Sequence, residues 1–340
     1  MFKQIVWITA VYFLLTSTFA QSEIVFTSSR DGTREIYTMN DDGNRVQRLT
    51  DNKYFEKNPV WSPGGEQIAF TRDLDADVRG HQLDIIIMDA NGKNQRNLTK
   101  HPARDEDPTW SPDGRHIAFT SNRTGRSEIH IITIRNGKIE RLTNSKGLGG
   151  FAYDPSWSPN GKHIVYKQVD LRQGDTINII DVKTKQSKLL IEPKPNILES
   201  CPRWSPDGKY ILYHEIHGRG KVVKIDAKDQ FVNFLLILGR PSRLVIVNVD
   251  GFEQPKPIIP EEWSVYPTAS WSPDSKAIVF SSKPRLKAGG RSIYRYNLVT
   301  HEIVNLSHRP NSDGEPNWLN RTLSVSPAGK MATQWGKIKR

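Results

Sequence analysis

The chain has 340 residues, a formal net charge of +11 at neutral pH and a single cysteine, Cys201. One cysteine excludes a framework of internal disulfides, so the fold must be held together by its core. The positive charge favours acidic partners in general without identifying one, and we expect no nucleic-acid partner.

The first twenty residues differ from the rest of the chain. They contain one basic residue, Lys3, no acid, and an apolar run from Ile5 to Leu15 that is followed by Thr18, Phe19 and Ala20. This pattern predicts a secretory signal over residues 1–20, cut after Ala20, and therefore a periplasmic or secreted protein. An uncleaved anchor is the alternative, although the run is shorter than the roughly 20 apolar residues that span a bilayer.

One motif, W-S-P-D-G-x-x-I-A-F, recurs along the chain with small variations. Successive copies are separated by 49, 47, 47, 67 and 47 residues, and the last copy is faded. Each copy begins at a tryptophan, to which we assign a structural role in packing the repeats: Trp61, Trp110, Trp157, Trp204, Trp271 and Trp318. A period in the high forties is typical of propeller blades and of helical solenoid repeats.

The composition of the repeat favours a propeller. Ser-Pro-Asp-Gly is turn chemistry, and short β-branched or aromatic runs bounded by polar clusters follow it, as at Ile117–Thr120 and Glu128–Ile132. No segment has a helical period over a useful length. The sequence therefore predicts an all-β, six-bladed β-propeller of four-stranded blades.

The two termini are predicted to close the ring. Ile24–Thr27 starts directly as the second strand of a blade, and the missing first strand is supplied by the segment that ends at Trp318. We thus expect the propeller to occupy residues 21–322, with no α/β domain ahead of it and a C-terminal tail over 323–340. Pairing the termini removes exposed sheet edges, and we expect a monomer.

A single insertion interrupts the even spacing. The blade that starts at Trp204 has its second strand at Tyr210–His214, but its third strand is delayed to Leu244–Val249. Residues 217–241 are therefore extra. Their apolar run, Phe231–Leu238, is interpreted as an added hairpin strand or as a membrane or partner contact.

Catalytic and metal-binding signatures are few. The sequence has no G-x-S-x-G elbow, H-E-x-x-H motif, Walker loop or C-x-x-C pair. His214 and His217 run off a strand, Asp73–Asp77 lacks the rest of a calcium loop, and Cys201 is interpreted as inert. The sequence thus predicts no enzyme activity, no cofactor and no bound metal.

Cationic and aromatic residues recur in two sets of loops. Loops joining the second and third strands are rich in cations, which include Arg30, Arg34, Arg72, Lys167, Lys224, Lys283, Arg285 and Lys287 as well as Arg123. Loops leading into each first strand carry aromatics, and both sets of loops should share one face. The residues predicted to bind a partner there are Arg79, Arg126, Arg172, Arg219, Lys221, Arg291, Tyr54, Phe151, Tyr153, Trp263 and Tyr266.

The motif W-S-P-D-G-x-x-I-A-F, followed by S-x-R-x-G-x-x-E-I-Y-x-M and D-A-x-G-x-x-x-x-L-T, resembles the WD-like repeat of the periplasmic TolB family. It is also similar to the propellers of prolyl oligopeptidase-type peptidases, whose peptidase domain the chain does not contain. The TolB resemblance implies a non-enzymatic propeller that binds protein partners at the bacterial cell envelope, where that family works with an outer-membrane lipoprotein. The alternative hypothesis, based on the cationic loops, is a carbohydrate-active propeller, either a lyase or a binding protein for acidic glycans.

Overall fold

The computed structural model describes residues 23–75, 82–145, 150–170, 174–217, 242–250, 253–259, 263–284, 290–307 and 313–319. The predicted signal segment, the insertion from residue 218 onward, the predicted tail, and Arg79, Arg172, Arg219 and Lys221 lie outside these residues. Within the described part of the chain, no helix is long and apolar enough to cross a membrane.

The described elements are short strands. In chain order they are β1 (Glu23–Ser28), β2 (Glu35–Asn40), β3 (Gln47–Arg48), β4 (Phe55–Trp61), β5 (Gln67–Asp73), β6 (Leu83–Asp89), β7 (Arg96–Asn97), β8 (Asp105–Trp110), β9 (His116–Ser121), β10 (Glu128–Thr133), β11 (Ile139–Arg141), β12 (Phe151–Trp157), β13 (His163–Asp170), β14 (Gly174–Asp181), β15 (Ser187–Ile191), β16 (Ile197–Trp204), β17 (Tyr210–His217), β18 (Ser242–Asn248), β19 (Lys256–Pro257), β20 (Trp263–Trp271), β21 (Ala277–Pro284), β22 (Ser292–Asn297), β23 (Ile303–Asn305) and β24 (Gly314–Trp318).

These strands form six antiparallel blades of four strands, as the repeat predicts. Blade 1 is β24-β1-β2-β3, and blades 2 to 6 are β4–β7, β8–β11, β12–β15, β16–β19 and β20–β23. One parallel bridge between Ser242 and Ser264 joins the sheets of blades 5 and 6.

The ring closes between the two ends of the chain. Strand β24 pairs antiparallel with β1, with Ile24 opposite Trp318 and Val25 opposite Asn317. A backbone hydrogen bond of 2.8 Å from Leu319 to Glu23 extends the pairing. The predicted closure of the ring by the C-terminal first strand is therefore confirmed.

The Ser-Pro-Asp-Gly turn connects the first and second strands of a blade. In blade 3 the Ser111 hydroxyl donates to Asp113 at 2.6 Å and accepts from the His116 amide at 2.9 Å. Gly114 has a positive φ of 67°, a conformation that suits glycine. These hydrogen bonds fix the hairpin turn, which pairs the apolar second strand with the first strand of the blade.

The core lies between blades rather than inside each one. Each hydrophobic cluster combines residues of two neighbouring blades, as where Ile85 and Ile87 of blade 2 meet Trp110 and Phe119 of blade 3. Trp110 is 7% exposed, and its indole donates to the Val60 carbonyl of the preceding blade at 3.2 Å. These contacts fit the packing role assigned to the repeated tryptophans.

Each first strand carries a bulge. In five of the six blades the residue just before the strand's proline has a positive φ, between 51° and 57°, and the register with the second strand shifts there. These residues are Asn58, Asp107, Asp154, Cys201 and Glu315. First strands of neighbouring blades contact each other around the ring, so the bulges place these side chains near its axis.

A chain that ends at residue 312, and so lacks β24, should be strongly destabilised because β1 and the blade 1 core lose their cover. We expect a greater loss of unfolding free energy than the roughly 3–5 kcal/mol of a Trp110→Ala substitution. Urea unfolding would measure both. A chain that ends at residue 322 is the control, and an unchanged midpoint after loss of β24 would contradict the closure.

Candidate partner-binding face

The loops between second and third strands and the loops that enter first strands lie on one face of the ring. At blades 1 and 2 they line a common cleft of about 170 Å³. Its walls are Ser29, Gly32, Thr33, Arg34, Lys53, Tyr54, Phe55, Asp73 and Asp75. The structure thus brings together at this cleft the two loop types that the sequence assigned to one surface, which we call the loop face.

Cations and aromatic rings on the loop face are stacked on each other. The Arg34 guanidinium lies 5.2 Å from the Phe55 ring centre, and Arg72 lies 5.5 Å from that of Tyr54. Such contacts contribute about 0.5–1 kcal/mol at exposed positions. Both arginine side chains are largely buried, at 11% and 12% exposure, so these contacts mainly hold the aromatic rings in place at the cleft.

Two of the stacked pairs join residues that the sequence had selected separately. Arg126 lies 5.8 Å from the Phe151 ring centre, and Arg291 lies 4.7 Å from that of Tyr266. Of the other selected aromatics, Tyr153 lies beside Phe151 with the two rings tilted by 36°, and burial raises the pKa of Tyr153 to about 12.

Trp263 is oriented differently from the other selected aromatics. Its ring meets Tyr294 and Phe280 edge-on, with centroids 4.8 Å and 6.1 Å apart, and it packs against the core between blades 5 and 6. Part of the Trp263 ring is therefore used to pack the core between blades 5 and 6.

Several of the predicted loop cations are internal, which corrects their assignment to the binding surface. The Lys167 side chain, on strand β13, is 1% exposed, and its amine pairs with Asp175 at 2.7 Å. Three arginines instead hold buried acids of their own blades, at 2.9, 2.5 and 2.7 Å: Arg30 with Asp313, Arg72 with Glu56, and Arg123 with Asp105. Removing one partner of such a pair leaves a buried charge, which is costly.

These three acids share a position in their blades. Each lies three residues before the proline of its first strand. In blade 2 the Thr50 hydroxyl of blade 1 also donates to Glu56. Burial raises the pKa of Asp105 and Asp313, and the hydroxyls of Thr99 and Ser307, from the blades that precede blades 3 and 1, act against that rise. The acid–arginine pairs hold the entry to the first strand beneath the loop face, a role that sequence reasoning missed. The fixed spacing of acid and proline was the signal that could have found it.

Blade 5 has the acid without those partners. Glu199 is fully buried and lies opposite Glu215, whereas in blade 2 the corresponding Glu56 lies opposite Arg72. Glu215 is taken by the Lys194 amine at 2.6 Å, and neither Glu199 carboxylate oxygen has a hydrogen-bonding side chain among the described residues. Burial raises the pKa of Glu199 to about 8, and the charge of Glu215 adds to the rise.

The residues near the axis are linked to one another. The Asn58 side-chain amide donates to Asp107, and the Asn58 backbone amide donates to Glu315 at 2.7 Å. The Cys201 amide donates to Asp154 at 3.1 Å. Burial and the Asp154 charge raise the pKa of the Cys201 thiol well above its usual value, so the thiol is protonated and a poor nucleophile.

The histidines of the H-E-I-H stretch have separate surroundings. His214 is buried, with Nε2 3.1 Å from the Val265 carbonyl, whereas His217 lies 3.3 Å from Glu215. The described ranges contain no group of three or more His, Cys, Asp or Glu side chains arranged to hold a metal ion.

Comparison with known proteins identifies a family for the propeller. A family model described as the TolB beta propeller domain matches residues 59–239. Over 46 residues the chain is 46% identical to the Tol-Pal system protein TolB of Geobacter sulfurreducens, and that match spans only 11% of the relative and 14% of this chain.

Solved structures show the same fold at low identity. TolB from Acinetobacter baumannii superposes with a TM-score of 0.68 at 17% identity, over 88% of this chain and 67% of that one. An oligogalacturonate lyase in complex with manganese superposes with a TM-score of 0.52 at 16% identity, over 84% of this chain and 73% of that one.

Replacing Glu199 with Gln should change how stability depends on pH. The folded carboxyl has a pKa of about 8 against an ordinary value of 4.5, so between these pH values the unfolded chain releases a proton that the folded protein keeps. Folding is thereby weakened as pH rises through this window. Relative to Glu199→Gln, the unsubstituted protein should lose on the order of 2–4 kcal/mol between pH 5 and pH 9.

Chemical unfolding at the two pH values measures this difference. Glu253→Gln, at an exposed carboxylate, is the control and should leave the pH dependence unchanged. A pH dependence that is the same with and without Glu199 would contradict the burial of an ionisable, unpaired carboxyl at that position.

Proposed function

Since the chain belongs to the TolB beta propeller domain family, we propose that it is an exported, non-enzymatic propeller that binds a protein partner at the bacterial cell envelope. The observation that carries the proposal is the set of stacked arginine–aromatic pairs on the loop face. Tyrosine, tryptophan and arginine are enriched where proteins bind one another. The sequence adds the predicted signal segment and the lack of common catalytic motifs.

The loop face is suited to an acidic partner. Lys53 is exposed beside the cleft, and Arg126 is partly exposed over Phe151. The internal arginines are already paired, so the attraction for a partner comes from the cations that remain at the rim. Exposed charges of this kind act mainly by steering association.

Capture from an envelope extract with the immobilised full-length protein would identify the partner. Association rates for Lys53→Ala/Arg126→Ala should then fall about threefold or more at low salt, with a weaker dependence on ionic strength. Lys162→Ala/Lys209→Ala removes the same charge from exposed turns on the opposite face and should have a smaller effect. Equal effects of the two double variants would place binding elsewhere.

A carbohydrate-active propeller is the second candidate. It is favoured by the fold shared with an oligogalacturonate lyase and by the cations of the loop face, which suit acidic sugars. Incubation with polygalacturonate, followed by ultraviolet absorbance of unsaturated products, distinguishes the two. We expect no product, and product formation that Arg126→Ala abolishes would replace the binding proposal with the lyase.

A further inference from the structure

The closing strand lacks a side chain at one position near the start of the first strand. Two residues before the first-strand proline, the other blades carry Lys57, Glu106, Tyr153, Ser200 and Val265, whereas β24 has Gly314. The φ of Gly314 is outside the left-handed region, so its backbone does not require glycine. What the glycine leaves unfilled is the position of the missing Cβ atom, beside two arginine side chains.

Two guanidinium groups from different blades reach that space. A Cβ atom at Gly314 would lie 3.5 Å from an Nη atom of Arg291, on blade 6, and 3.7 Å from an Nη atom of Arg34, on blade 1. Two guanidinium groups this close repel each other unless carboxylates neutralise them. The number of carboxylates nearby therefore decides whether the site can bind a further anion.

The described surroundings supply one carboxylate for these two arginines. Arg34 pairs with Glu315 at 2.5 Å and donates to the Thr27 hydroxyl at 3.0 Å. Arg291 forms no ion pair with any described residue, and it lies over the Tyr266 ring. The nearby Asp313 is taken by Arg30 at 2.9 Å.

One positive charge is therefore left over, on a half-buried guanidinium. Burial lowers the pKa of Arg291, and the neighbouring Arg34 lowers it further. The attraction of an anion bound beside Arg291 would offset both effects. A single excess charge matches a singly charged anion better than a phosphate dianion.

We infer that the space over Gly314, between Arg34 and Arg291 and beside Tyr266, is a subsite for a carboxylate. Its occupant is an Asp or Glu side chain of the partner, and this identity of the occupant rests on the proposed function. Arg291 is the main ligand because its donors are not used by another carboxylate among the described residues. A planar guanidinium binds a carboxylate through two parallel hydrogen bonds.

Saturation-transfer NMR with two short peptides tests the subsite directly. The probes are acetyl-Gly-Glu-Gly-amide and its match acetyl-Gly-Gln-Gly-amide, added to the full-length protein. We expect the glutamate peptide to bind at least tenfold more tightly than the glutamine peptide. Equal binding of the two peptides would overturn the inference.

Gly314→Ala is the sharpest variant because it removes no charge. Its methyl group would sit at ordinary contact distance from both guanidinium groups, so the variant should fold while blocking the carboxylate. We expect at least a tenfold loss of affinity for the glutamate peptide, and Arg291→Gln should cause a similar loss. Lys162→Gln removes one charge elsewhere and should leave the affinity unchanged. Unchanged binding by Gly314→Ala and by Arg291→Gln would overturn the inference.

Trigalacturonate serves as a third probe. Tighter binding of this sugar than of the glutamate peptide, lost in Gly314→Ala, would overturn the peptide occupant in favour of a uronate. Failure of the proposed function has a different signature, namely no envelope protein captured although the glutamate peptide still binds in a Gly314-dependent way.

Discussion

Pairing of β24 with β1 holds the ring of six blades closed, with Ile24 opposite Trp318. It joins the two ends of a ring whose core lies between blades, so an open ring would expose the apolar faces of blades 1 and 6 at once. The Thr27 hydroxyl donates to the Gly314 carbonyl at 3.1 Å, next to the backbone pairs. Closure thus replaces a disulfide as the constraint on the termini.

The closing strand also completes the loop face. It brings Asp313 to Arg30 and Glu315 to Arg34, and it places Gly314 below Arg291. Two of these contacts neutralise cations that would otherwise repel each other, while Arg291 keeps its charge. In the proposed subsite, stability and recognition would be coupled, because the residues that shape it also close the ring.

The blades differ in how they neutralise the buried acid near the first-strand proline. Blades 1, 2 and 3 each hold an acid near the first-strand proline with an arginine of the same blade, and in blade 2 a hydroxyl of blade 1 joins the pair. In blade 5 the residues after β15, Glu192 to Lys194, include no hydroxyl, and Glu215 takes the place of the arginine. Glu199 is then left with neither partner, at the blade from which the insertion departs.

The fold could be predicted from the sequence because each blade repeats its own turn, strands and tryptophan. The loop face could be located for the same reason, and Arg126 with Phe151 and Arg291 with Tyr266 prove to be neighbours. The function of the other cations could not be predicted, because the partner of Arg30 is almost a full chain length away at Asp313. Likewise, the space over Gly314 depends on side chains from two blades that meet only when the ring closes.

Hydrogen–deuterium exchange of the full-length protein, with and without the partner captured from the envelope, locates the surface that binds. We expect slower exchange in the loop-face segments at residues 29–34, 53–55, 122–127 and 290–292. Protection confined to the Ser-Pro-Asp-Gly turns of the opposite face, such as residues 111–116 and 205–210, would contradict binding at the loop face.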